Sequence, residues 1–183
     1  IASTRDGLIR YNPETRQAAV FKGNKSGYVP ISEKCSALSI DRKGNLWVGS
    51  LDKGISMAKA ETLNDDLVHF VSYQNISSNL SSLNSNLIYS LYVSKTNNLW
   101  VGTIGSGVNV YNPEQKKFQH YKFHDSPDKN TNSNFIRSVY ADNQRNLWVG
   151  THNDGLYLLD REKEEFRKLG FEFQSIFYIA KYS

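Results

Sequence analysis

One hexapeptide does most to limit what this chain can fold into. Asn146-Leu147-Trp148-Val149-Gly150-Thr151 recurs as Asn98-Leu99-Trp100-Val101-Gly102-Thr103 and as Asn45-Leu46-Trp47-Val48-Gly49-Ser50. In each copy a further glycine follows the tryptophan by seven residues: Gly155, Gly107 and Gly54. Ile1-Ala2-Ser3 with Asp6-Gly7-Leu8 matches the end of a fourth copy, so the chain is expected to open inside a repeat and to be a piece of something longer. Tryptophan-to-tryptophan steps of 53 and 48 residues point to a propeller or solenoid.

Upstream of each tryptophan sits a second signature: Cys35-x-x-Leu38, Ile88-x-x-Leu91 and Ile136-x-x-Val139, with Ile176-x-x-Ile179 as a fourth. A turn such as Asp41-Arg42-Lys43-Gly44-Asn45 joins it to the hexapeptide. Each unit then reads as four short strands: the Ile-x-x-Val segment, the Leu-Trp-Val-Gly-Thr segment, a strand after the glycine, and an aromatic-containing run such as Phe118 to Phe123. Apolar residues fall at both odd and even positions of the first two strands, which suits a sheet covered on both faces. The tryptophan is expected to supply the buried surface between sheets, and the glycine of Trp-Val-Gly to let the adjoining sheet approach closely.

The fold class that follows is all-β: a β-propeller fragment of four-stranded antiparallel blades. Residues 1–34 are the end of one blade, 35–86, 87–134 and 135–174 are complete blades, and 175–183 is the first strand of the next. The two ends thus read as complementary parts of a fourth blade, and their open edges are expected to promote self-association.

Composition excludes more than it assigns. Apolar residues make up 39% and aromatics 13%, which suits a globular chain, and no run approaches the ~20 apolar residues of a membrane span. The net charge of +4 comes from scattered residues with no basic run, so no nucleic-acid partner is expected. One cysteine, Cys35, permits no internal disulfide and reads as a small buried hydrophobe.

No catalytic constellation stands out. Asp6, Asp52 and Asp154 recur near one repeat position, but Asp near Gly is a turn former and the copies lie on different blades. His120 and His124 form a lone His-x-x-x-His that is weak as a metal site. The sequence therefore implies no catalytic residues, no metal and no cofactor.

The combined pattern, Ile-x-x-Ile, Asp-x-x-Gly-Asn-Leu-Trp-Val-Gly-Thr and Gly-Leu-x-x-Tyr, resembles the two-component regulator propeller repeat over nearly the whole chain. The resemblance implies the periplasmic sensor region of a membrane-anchored hybrid histidine kinase, of the kind found in gut bacteria that use polysaccharides. It implies a non-catalytic sensor with an oligosaccharide ligand; the alternative is a fragment of a propeller-fold glycan lyase or hydrolase. In such a fold the inter-blade links and the turns between second and third strands emerge on one face. Two links are long, about Tyr73–Asn86 and His120–Asn134. The ligand contacts expected on that face are Arg5, Tyr121, His124 and His152.

Overall fold

The computed structural model describes residues 2–4, 7–21, 32, 34–65, 68–123, 134–144, 146–160, 163–173 and 175–180. Among the described residues fifteen strands form four antiparallel sheets, each in sequential order. The first has three strands: β1 (Ala2–Thr4), β2 (Gly7–Asn12) and β3 (Gln17–Phe21). The next three have four each: β4 (Cys35–Ile40), β5 (Leu46–Ser50), β6 (Ile55–Ala58) and β7 (Phe70–Tyr73); β8 (Ile88–Val93), β9 (Leu99–Thr103), β10 (Val108–Asn112) and β11 (Lys117–Tyr121); β12 (Ile136–Ala141), β13 (Leu147–Thr151), β14 (Leu156–Asp160) and β15 (Glu165–Lys168). These are propeller blades, and the hexapeptide is the second strand of each complete one. The unequal repeat length arises between β6 and β7, where a 3-10 turn at Ala60–Thr62 lengthens the connection. Residues 175–180 are assigned to no strand, although the amide of Ile176 donates to the Thr151 carbonyl at 2.9 Å.

The core lies between blades. One layer holds Leu8, Cys35, Leu46 and Val48; the next gathers Trp47, Ile55, Ile88, Val101, Tyr111 and Phe118; a third gathers Trp100, Val108, Ile136, Val149, Tyr157 and Leu159. Each layer draws on two successive blades, which is why both faces of each sheet are apolar. First strands stand side by side, β8 between β4 and β12.

The glycine of Trp-Val-Gly makes the close approach possible. A Cβ at Gly49 would lie 2.8 Å from Cγ2 of Ile88; at Gly102, 2.6 Å from Cγ2 of Ile136; at Gly150, 2.6 Å from Cγ2 of Ile176. Each blade thus offers a bare stretch of backbone to the first isoleucine of the next. The residue after that glycine carries a hydroxyl that caps the following turn: Ser50, Thr103 and Thr151 donate to the carbonyls of Gly54, Gly107 and Gly155 at 3.1, 2.7 and 2.9 Å. Those glycines have φ of +78°, +78° and +81°, and a side chain at Gly107 would meet the Tyr121 carbonyl.

The turn before the hexapeptide is tied by an aspartate. Asp142 Oδ1 accepts from the amides of Gln144 and Asn146, and Oδ2 accepts from Asn146 Nδ2 at 2.8 Å and from the Trp148 indole at 3.0 Å. Asp41 makes the same set with Lys43, Asn45 and Trp47. Burial pushes the Asp142 carboxyl up, but the bonds donated by Trp148, Asn146 and Gln144 outweigh it and hold the group below its ordinary value. In the β8 blade Ser94 takes this place, and its hydroxyl accepts the Asn98 amide at 3.1 Å.

Cys35 is buried as expected. Burial, with the Asp52 charge nearby, pushes its thiol up to about 11, so it packs as an inert hydrophobe.

Candidate functional site

Each complete blade breaks its ladder at the same place. Ile136 pairs with Thr151 and Ser138 with Gly150, leaving Arg137 between them as the extra residue of a bulge. The same shift leaves Tyr89 out between Ile88 and Ser90, and Ser36 between Cys35 and Ala37. A bulge re-aims a side chain that would otherwise alternate with the strand. The three bulges therefore present one residue each, at the start of the strands that stand side by side.

Two of them, Tyr89 and Arg137, meet. Arg137 Nη1 donates to the Tyr89 hydroxyl at 3.3 Å, and its Nε and Nη2 lie 2.8 and 2.6 Å from Nδ1 of His152. Accepting these bonds requires the Nδ1 lone pair, so the ring proton of His152 sits on Nε2. The guanidinium carbon lies 5.5 Å from the Tyr89 ring centroid, 5.4 Å from that of Phe135 and 4.2 Å from that of Phe177. Phe135 packs on His152 with centroids 4.8 Å apart and on Tyr89 at 5.6 Å. Phe177, 66% exposed, occupies the position after Ile176 that Arg137 holds after Ile136. The result is a cation set among aromatic faces from two blades and the segment that follows them.

Backbone bonds fix the height of this cluster. The His152 amide donates to the Phe135 carbonyl at 2.9 Å, as Ile104 does to Leu87 and Leu51 to Lys34 at 3.0 Å. Ser175 Oγ donates to the His152 carbonyl. The nearest acidic residue of the same turn, Asp154, is buried and engaged by the Tyr157 hydroxyl at 2.6 Å and by Lys168.

Of the four residues expected as contacts, His152 stands inside the cluster. Tyr121 ends β11 opposite Val108, and its half-buried ring packs 5.9 Å from Trp100 and 5.7 Å from Phe166, so it belongs to the layer between blades. Arg5 and His124 lie outside the described residues. The sequence does not single out Tyr89, Arg137 and Phe177, because the residue after each isoleucine reads as the variable x of Ile-x-x-Val, nor Phe135, which lies just before that motif. For the first three a signal was available: at that x stand Ser36, Tyr89, Arg137 and Phe177, more varied than the apolar positions around them.

The link before β8 has a structural task. Leu83 is fully buried, Asn75 Nδ2 donates to its carbonyl at 2.6 Å, and Asn84 exchanges bonds of 3.0 and 2.8 Å with the buried Asn109. His120 Nε2 lies 2.7 Å from the Ser82 carbonyl, which gives that histidine a role in pinning the link. Among the described residues no group of three or more His, Cys, Asp or Glu is placed to hold a metal.

The sequence pattern of the two component regulator propeller family matches residues 82–105 and 130–153. Among solved structures, the chain is similar to the extracellular domain assigned to a hybrid two component system of B. thetaiotaomicron: 24% identity and a TM-score of 0.73, over 90% of this chain and 21% of that one. A second such domain of that organism shares 21% identity with a TM-score of 0.70, over 94% of this chain and 23% of that one. A streptogramin B lyase shares 12% identity with a TM-score of 0.61, over 93% of this chain and 50% of that one. These likenesses establish the propeller fold, and the chain spans about a fifth of the two B. thetaiotaomicron domains. No curated protein matches the chain by sequence.

Proposed function

From a chain that carries two component regulator propeller repeats, at residues 82–105 and 130–153, we propose a sensor role. The blades form part of the non-catalytic, ligand-binding region of a membrane-anchored two-component sensor and work on the periplasmic side. The ligand is an oligosaccharide. The observation that carries this reading is the recurring bulge, which brings Tyr89, Phe135, Arg137 and His152 together at one end of the first strands. Sugar rings need apolar faces to stack on and convergent donors for their hydroxyls, and this cluster holds both.

The test is a panel of oligosaccharides titrated into the 183-residue chain, followed by protein NMR so that millimolar affinities are seen, with product analysis of the same samples. Binding without turnover is expected. Affinity should be weak, because an arc of blades presents only part of a site. Cleavage of any member would move the assignment to a lyase or hydrolase.

A further inference from the structure

The guanidinium of Arg137 is the unusual feature of the cluster. Its identified partners are a neutral ring nitrogen, a phenol and three aromatic faces. No carboxylate among the described residues lies within salt-bridge distance of it: the ion pairs found are Lys34–Asp52, Lys59–Glu61 and Lys168–Asp154. Asp154, the acid closest in sequence to His152, is already committed to Lys168 and Tyr157. A permanently charged group is thus half-buried without a counter-charge among the described residues. Its bonds use one N–H on each nitrogen, which leaves one on Nη1 and one on Nη2. Both belong to one planar, forked group and can donate to the oxygens of an anion.

The geometry points to an acidic saccharide as the ligand, with a carboxylate or sulfate received by Arg137 and the sugar ring against Phe135, Tyr89 or Phe177. This rests on the sensing role proposed above and narrows its ligand class. The aromatic faces hold the guanidinium by cation–π attraction but cannot neutralise it, so an arriving anion gains a charge-assisted bond in partly desolvated surroundings. His152 orients the fork: by accepting from Nε and Nη2 it fixes the guanidinium plane and is a positioning residue.

Three matched oligosaccharides test the proposal by NMR titration of the 183-residue chain: a uronate-containing one, its carboxyl-reduced neutral counterpart and a sulfated one. At least one acidic form should bind at least about tenfold more tightly than the neutral form, the size of one charge-assisted bond. Whichever does so identifies carboxylate or sulfate as the group. The advantage should shrink as salt is raised. Arg137→Gln should abolish it, and Arg137→Lys should restore only part, since an ammonium lacks the fork. Equal binding of acidic and neutral forms overturns this inference and leaves the sensing role standing. A salt-insensitive advantage overturns it also, and does so on the unmodified chain whether or not the variants fold. Absence of binding by every saccharide overturns both.

Discussion

The β8 and β12 blades carry the same Leu-Trp-Val-Gly-Thr strand and hold its tryptophan in two different ways. In the β12 blade the indole N–H of Trp148 reaches Asp142 at 3.0 Å, and the ring is only half-buried beside Tyr140, Leu156 and Ile179. In the β8 blade Ser94 replaces the aspartate, and Trp100 is 7% exposed within the layer formed with Ile136, Val149 and Tyr157. The β4 blade has both devices: Trp47 bonds to Asp41 at 3.1 Å and is 3% exposed against Tyr73 and Tyr111. Anchoring and packing are therefore separable means of fixing one residue. Where the next blade covers the ring fully, the carboxylate is dispensable.

The largest effect should come from removing the ring held by packing alone. Trp100→Ala is expected to cost about 3–5 kcal/mol by urea denaturation, and Trp148→Ala clearly less, because less of its surface leaves water. Equal losses would break the comparison. Gly102→Ala, which sets a methyl 2.6 Å from Cγ2 of Ile136, should cost about 1–3 kcal/mol, the range for overpacking a tight contact.

Smaller effects belong to the turn. Asp142→Ala should cost about 1–2 kcal/mol, since it strips acceptors from Trp148 and Asn146 in a part-exposed setting. Ser94→Asp should add up to about 1 kcal/mol by giving Trp100 the bond that the other two blades possess. A loss of stability would show that this turn cannot close around a carboxylate. The smallest signal is in acid. The folded Asp142 carboxyl lies below its unfolded value, so the folded chain binds fewer protons there and stability rises with pH. That contribution is complete above about pH 4, the unfolded value, and is lost as pH falls through the folded one. Urea midpoints followed downwards from about pH 6 should therefore fall more steeply for the unmodified chain than for Asp142→Asn.

Strand order was legible in the sequence because each strand carries a landmark repeated in register. Tryptophan marks the second strand, the positive-φ glycines mark the turn after it, and the first isoleucine marks the next blade. Those landmarks answer to steric demands within one blade or between neighbours, and every copy meets the same demand. The cluster around Arg137 answers to none of them. Arg137 and Tyr89 differ because the bulge frees that position from pairing, so no periodicity flags it. Tyr121 misled for the opposite reason. A tyrosine at a strand end beside a long link reads as displayed, whereas pairing with Val108 turns its ring onto Trp100. The Asp142-to-indole bond was also present as a spacing of six residues, shared by Asp41 and Trp47 and interrupted at Ser94.

The glycine-to-isoleucine contact between blades has a direction. Gly49 receives Ile88, Gly102 receives Ile136 and Gly150 receives Ile176, always a socket on one blade and a knob from the blade that follows. Such a joint is heterologous: surfaces related by a two-fold axis would set socket against socket and knob against knob. Blades can be joined by it only head to tail. A change at one socket, such as Gly102→Ala, therefore presses both on Ser90 of its own sheet and on Ile136 of the downstream blade, and stability along the arc is a sum of neighbour terms.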